Sequence, residues 1–105
     1  MEITCEELKK RIDAGGPLRL IDCREPWEHE LVRIADSTNI PMNDTPDRVE
    51  DYRGFQEPVV VYCHHGVRSL NVVGWLRQQG VADVLSLQGG IDAWTMTVDP
   101  TLPRY

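Results

Sequence analysis

The 105 residues carry 11 basic against 17 acidic side chains, for a formal charge of −6, with 41% hydrophobic and 27% charged residues. This is the composition of an ordinary globular chain, long enough to bury one core without metals or disulfides as staples, and a single domain over residues 1–105 is expected. The acidic balance argues against nucleic acid or an anionic membrane surface as partner, and no apolar run approaches the roughly 20 residues of a membrane span.

The opening MEITCEELKK is acidic and lacks the basic and apolar regions of a signal peptide, so a cytoplasmic location is expected. Three cysteines, Cys5, Cys23 and Cys63, are odd in number and scattered. They match neither a disulfide framework nor a zinc spacing and are expected to be reduced thiols.

Thr4 followed by Glu7 is a capping box, and the helix it starts should run to about Ala14 and stop at Gly15-Gly16-Pro17. Leu18 to Asp22 reads as a short strand. Pro26 stands where a first helical turn tolerates it, and Trp27 and Leu31, four apart, predict a short helix. STNIP is a weak strand ended by Pro41, and residues 43–57 are a polar stretch of helix and loop. PVVVYC is a continuous β-branched run, the pattern of a strand buried on both faces of a parallel sheet. From Ser69, residues Leu70, Val73 and Leu76 recur at helical spacing, widened by Val72 and Trp75, until Gly80. DVLSL is a further strand, QGG a turn and IDAWTM a short helix, and the proline-punctuated tail VDPTLPRY is expected on the surface. Strands alternating with helices predict an α/β fold with a mostly parallel central sheet.

In such sheets, sites form where the carboxyl ends of strands run into helices. Cys63 ends the most apolar strand, and Arg68-Ser69 opens the next helix. The tight loop between them has Gly66 as the residue able to take positive φ. A loop curling onto a helix N-terminus aims successive N–H groups at one point. A cysteine there is expected to have a pKa depressed to about 3.5–7.5 and to be a thiolate near neutrality. Arg68 adds a planar fork suited to an oxyanion. The bland alternative makes Cys63 a small buried hydrophobe and Arg68 a surface cation. The position of Cys63 at the loop mouth, with glycine and arginine at these offsets, favours a functional loop. Zinc binding by Cys63, His64 and His65 is disfavoured, because adjacent residues in a tight loop seldom converge on one centre. The two histidines are placed at the rim, where they either tune charge or are simply exposed.

Four motifs in order resemble the rhodanese superfamily, specifically its stand-alone single-domain sulfurtransferases. LIDCREPWEHE is similar to that family's first strand with Asp-x-Arg-x-x-x-Glu, here Asp22, Arg24 and Glu28. NIPM, VVVYCHHGVRS and LQGGIDAW are similar to the following segment, the active-site strand and loop, and the closing motif. The DPTLPRY tail also resembles the ends of some members and of rhodanese domains fused to sulfur-carrier activating enzymes. The resemblance implies a rhodanese-like α/β domain with helices on both faces of the sheet, and a persulfide enzyme. Cys63 would take sulfane sulfur from thiosulfate or a persulfide donor and pass it to cyanide or a protein thiol, in covalent ping-pong chemistry. The amides of His64, His65, Gly66, Val67, Arg68 and Ser69 would hold the persulfide, and Arg68 would guide an anionic donor. Asp22, Arg24 and Glu28 would brace the loop.

The resemblance further implies a monomer that needs neither metal nor organic cofactor. Its partners would be a small-molecule sulfur donor and a protein thiol or sulfur carrier. Between Leu31 and Asn39 the chain departs from the family's Gly-His-Ile-Pro-Gly-Ala-like stretch. Cys23 stands where an aliphatic residue is common and reads as a small hydrophobe; a resolving role would require it to lie beside Cys63. Cysteine phosphatases resemble this arrangement but leave five residues between Cys and Arg. The four residues His64 to Val67 make a smaller cradle, suited to one sulfur. A regulatory or adaptor module is the non-enzymatic alternative, but such modules commonly lose the cysteine or the arginine, and this chain keeps both.

Overall fold

The β-branched run Val59–Tyr62 forms the central strand of the sheet, and all four of its residues are buried. The computed structural model describes residues 1–105. It contains strands β1 (Glu2–Ile3), β2 (Arg19–Asp22), β3 (Thr38–Asn39), β4 (Val59–Tyr62) and β5 (Val84–Leu87). Helices are α1 (Cys5–Asp13), α2 (Pro26–Leu31), α3 (Val49–Gly54), α4 (Val67–Gln78) and α5 (Gly90–Thr97), with a 3₁₀ segment over Met42–Arg48. The strands form one sheet in the order β1-β5-β4-β2-β3, and every pairing is parallel. The expected α/β class with a parallel sheet is therefore observed.

Alternation along the strands divides the core. Val59, Val61 and Cys63 point to one face, where they pack with Ile21, Cys23 and Ile40 against Val72, Val73 and Leu76 of α4 and Tyr52 of α3. Val60 and Tyr62 point to the other, against Cys5 and Leu8 of α1 and Ile91 and Trp94 of α5. Both faces are covered by helices, so β4 shows no polar alternation.

Sheet order also locates the site. From β2 the chain moves outward to the edge strand β3, whereas from β4 it moves the other way, to β5. The carboxyl ends of the adjacent strands β2 and β4 are thus the point where the winding reverses, the place where open α/β sheets form their crevice. Cys63 follows β4 there, and Asp22 ends β2, with Cys23 and Arg24 directly after it.

Several local expectations are revised. The two-residue β1 was not anticipated; it pairs with β5 through Glu2 with Ser86 and Ile3 with Leu87. Helix α4 begins at Val67, and its buried stripe holds Ser69, Val72, Val73 and Leu76, with Leu70 only half-buried. In α2, Trp27 and Leu31 are 61% and 52% exposed, and the residue this helix buries is Glu28. The helix is fixed by a carboxylate, not by an apolar stripe. The divergent stretch after α2 is organised by Tyr62: Ile34 N–H donates to its hydroxyl at 3.2 Å and Ser37 Oγ lies 2.9 Å from it. Asp36 takes φ +65° in this turn.

Asp22 and Arg24 are both fully buried at the end of β2. Arg24 donates Nε to Asp22 Oδ1 at 2.9 Å and Nη2 to Oδ2 at 2.7 Å, and Nη2 also reaches the Val32 carbonyl at 2.5 Å. Removing one member of such a pair strands a charge in the interior, at a cost of about 3–5 kcal/mol, whereas removing both together costs far less. Arg24→Leu is expected to lower unfolding stability by that amount in urea titrations at neutral pH. The double variant Asp22→Asn/Arg24→Leu should recover part of it.

Candidate active site

Strand β4 delivers Cys63 to the sheet's carboxyl edge, and the loop then turns at Gly66, whose φ of +100° only glycine adopts without strain. This turn directs the Gly66 N–H at Cys63 Sγ, 3.1 Å away, and the Ser69 N–H at the same sulfur from 3.4 Å. The Ser69 hydroxyl lies 3.5 Å from Sγ and 2.8 Å from the hydroxyl of Ser86, which is buried on β5. Two amides and a hydroxyl converge on one sulfur that is itself buried.

The loop is held from behind by the N-terminus of α5. Ile91 N–H donates to the Cys63 carbonyl at 2.9 Å and Asp92 N–H to the His64 carbonyl at 3.1 Å. The approach is so close that a Cβ on Gly90 would lie 2.5 Å from the Cys63 carbonyl oxygen and 2.4 Å from that of His64. Glycine is required there by contact as well as by its φ of +62°.

These donors make Cys63 acidic. The largest cause is the neighbouring Cys23 thiol; burial opposes it, and the Ser69 hydroxyl with the Ser69 and Gly66 amides adds to it, leaving a pKa of about 4. The same contact, with burial, pushes the Cys23 thiol far up, so Cys23 keeps its proton while Cys63 gives its own away. Cys63 is thus held as a thiolate at neutral pH.

Arg68 does not present an open fork. Its Nη1 and Nη2 donate to Glu28 Oε1 and Oε2 at 2.7 and 3.0 Å. The fork expected to face an anionic donor is paired with Glu28 in this structure, a partner that no local pattern in the sequence marked. Glu28 also accepts the Glu25 N–H at 3.0 Å and the Tyr105 hydroxyl at 2.5 Å. Burial acts to raise its pKa, but Arg68, Tyr105 and the Glu25 amide outweigh burial and hold the carboxyl at about 2. Arg24 Nη1 in turn donates to the Tyr105 hydroxyl at 2.8 Å. Asp22, Arg24, Tyr105, Glu28 and Arg68 therefore form one continuous chain of hydrogen bonds from β2 to the loop.

The remaining loop residues lie at the rim. The His64 and His65 rings stack with centroids 4.0 Å apart, and the other side of the His64 ring stacks on Tyr105 at 4.0 Å and 7°. Burial, then the neighbouring His65, lowers the His64 pKa. His65 faces Asp92 at 3.8 Å, and the side chain of Val67 is 70% exposed. No three His, Cys, Asp or Glu side chains are grouped to hold a metal ion. Three contributors were not singled out as site residues from the sequence: Ser86, Tyr105 and Cys23 as a neighbour of Cys63. Ser86 had a signal, a lone hydroxyl in the otherwise apolar strand DVLSL. Tyr105 had only the resemblance of the DPTLPRY tail to the ends of some family members, since that tail has no periodicity that would place it.

A five-stranded parallel sheet with a cysteine thiolate cradled by amides at its carboxyl edge defines a class of protein. Residues 4–97 match the family model described as the rhodanese-like domain, and the chain belongs to that family. It is 38% identical over 93 residues to a sulfurtransferase of Allochromatium vinosum, covering 89% of this chain and 86% of that protein. It is 34% identical over 109 residues to the maize adenylyltransferase and sulfurtransferase MOCS3-2, where 98% of this chain spans only 23% of that protein. Among solved structures, a rhodanese-like domain protein from Staphylococcus aureus superimposes with a TM-score of 0.82 at 30% identity, covering 100% of this chain and 99% of that one.

Because Cys63 is deprotonated well below neutrality, its alkylation by iodoacetamide should rise with pH to half-maximum near pH 4 and stay flat through neutrality. Replacing Cys23 by alanine removes the largest stabiliser of the thiolate, so the half-point should move upward. Cys23→Ser, which keeps a donor, should move it less. Modification rates followed by intact mass from pH 3 to 10 check the order of the three proteins.

Proposed function

We propose that this chain is a single rhodanese domain that transfers sulfane sulfur through a persulfide on Cys63. The observation that carries the reading is a buried cysteine thiolate, with a pKa of about 4, aimed at by two backbone amides in a loop with only four residues between cysteine and arginine. The thiolate attacks the outer sulfur of thiosulfate, and sulfite departs with the bonding electron pair. The persulfide then yields that sulfur to cyanide or a protein thiol and regenerates the thiolate. The amides of His64, His65, Gly66, Val67, Arg68 and Ser69 form the cradle for the sulfur, with those of Gly66 and Ser69 nearest Sγ. Sulfur rides on the cysteine itself, so the reaction calls for no metal or organic cofactor. We further propose that the domain acts as a monomer in a reducing compartment such as the cytoplasm.

Replacing Cys63 by serine tests the reading directly. Wild-type protein sampled promptly after mixing with thiosulfate should carry the mass of one added sulfur, and it should make thiocyanate when cyanide is present. Cys63→Ser should do neither. Turnover by the serine variant at the wild-type rate would remove Cys63 from its role.

In this reading Arg68 is a positioning residue: its grip on Glu28 sets the loop, and its charge lies near the sulfur. Charge-assisted pairs of this kind contribute about 1.5–3 kcal/mol, or roughly ten- to a hundredfold in rate or affinity. Arg68→Lys and Glu28→Gln should therefore lose kcat/KM to similar extents with thiosulfate and with a persulfide donor lacking a sulfonate. A loss confined to thiosulfate, with Glu28→Gln unaffected, would assign Arg68 to the donor's oxygens instead.

A further inference from the structure

Cys23 has no step in the transfer above, yet its place is specific. β2 and β4 run in register through Asp22 and Tyr62, and the Cys23 N–H donates to the Tyr62 carbonyl at 3.0 Å. The ladder therefore extends one step past the strands and sets Cys23 beside Cys63. Adjacent strands lie about 4.8 Å apart, within the Cα separation of about 4.4–6.8 Å that a disulfide spans. Alternation sends both cysteines to the same face, where they share one apolar cluster, each 1% exposed. Cys5 lies in the cluster on the opposite face, with its thiol 3.8 Å from the Gln88 carbonyl.

We propose that Cys23 is a resolving thiol: it attacks Sγ of the Cys63 persulfide, closes a Cys23–Cys63 disulfide and expels the outer sulfur as hydrosulfide. The step rests on the sulfur-loading reading given above. The bond between Sγ and the outer sulfur breaks, and a bond between the two cysteine sulfurs forms. The outer sulfur leaves with the electron pair and takes the Cys23 proton. The sulfane sulfur is reduced, and the two cysteines together are left oxidised by two electrons. A small-molecule or protein dithiol then reopens the disulfide. One full cycle converts thiosulfate and a dithiol into sulfite, hydrogen sulfide and a disulfide.

The two thiols have complementary protonation. In the resting site Cys63 is the thiolate that loads sulfur, and Cys23 retains its proton. Loading moves the negative charge outward by one S–S bond, about 2.05 Å, onto the atom that must leave. That atom is the base that accepts the Cys23 proton. A waiting acceptor removes the outer sulfur first; without one, Cys23 discharges it as sulfide. The chain thus carries a second activity, sulfide release, in competition with transfer.

The test uses the whole chain loaded with thiosulfate, freed of excess donor and kept anaerobic without an acceptor. Sulfide is trapped as a bimane adduct while intact mass is followed. Wild-type protein should lose the added sulfur, end two hydrogens lighter than its reduced form, and release one sulfide per chain. Peptide mapping should place the new disulfide between Cys23 and Cys63. Cys23→Ala and Cys23→Ser, once loaded, should keep the added sulfur and release sulfide only at background level; the retained adduct itself reports that their sites are folded. Wild-type protein that holds its sulfur as long as the variants, or variants that release sulfide as fast as wild type, would overturn the resolving role and leave sulfur loading intact. Failure of all three proteins to load would instead overturn the loading reading and this step with it.

Discussion

The carbonyls of Cys63 and His64 are taken by the first free N–H groups of α5, at 2.9 and 3.1 Å, and the geometry of the loop follows from that contact. A peptide unit whose carbonyl is held fast has its plane fixed. With those of Cys63 and His64 held by α5, the loop can then turn at Gly66 so that later amides face the sulfur. Only glycine at 90 allows the approach, because any Cβ would occupy the space of the carbonyl oxygens. Gly66 is pressed in the same way: a Cβ there would lie 3.1 Å from the Gly89 nitrogen. The closing motif LQGGIDAW therefore acts on the chemistry without touching the sulfur. It uses the unsatisfied donors at a helix start to hold a loop, and the loop's own unsatisfied donors then stabilise an anion.

A second constraint acts from the opposite side. Asp22, Arg24, Tyr105, Glu28 and Arg68 form a chain in which acids and bases alternate, with a phenol bridging Arg24 to Glu28. Each charge is compensated by the next, which lets Asp22, Arg24 and Glu28 lie nearly or fully out of water. Buried pairs of this sort add little net stability over apolar packing, but they are costly to break and tolerate few alternative arrangements. Their effect here is directional. They tie the end of β2, helix α2 and the loop arginine into one unit, so that the β2 end and the Cys63 loop cannot drift apart.

The sequence made much of this legible and left part of it hidden, for physical reasons. The run PVVVYC reads as a doubly buried strand, and the cysteine and glycine on the turn after it could be assigned roles from backbone geometry alone. The weak strand at Thr38–Asn39 and the capping box at Thr4 followed from local rules and are present. β1 is two residues long and takes its structure entirely from pairing with β5, so no periodicity marks it. In α2 the visible pattern was apolar, Trp27 and Leu31, while the anchoring group was a carboxylate whose partners lie 40 and 77 residues away in sequence. The position of Tyr105 was hidden for the same reason: its ring and hydroxyl are placed by His64, Arg24 and Glu28, none of them its neighbours in the chain. Long-range polar contacts of this kind have no local signature.

The divergence of the stretch 32–37 from the family pattern shows how a fold absorbs a local change. Tyr62 is buried on the α1 and α5 face, and its hydroxyl would be left without a partner there. The turn meets it with the Ile34 amide and the Ser37 hydroxyl, while the Val32 carbonyl takes Arg24. On the other face, one residue further along the same two strands, stand Cys23 and Cys63. A single step of β alternation thus separates the polar residues Asp22 and Tyr62 from the two neighbouring cysteines, Cys23 and Cys63. A slip of one residue in the pairing of β2 with β4 would exchange those roles, placing a carboxylate beside the thiolate, where like charge would raise the pKa of Cys63 and quench the nucleophile. The register of the sheet, fixed by its two packed faces, therefore also sets the surroundings of Cys63.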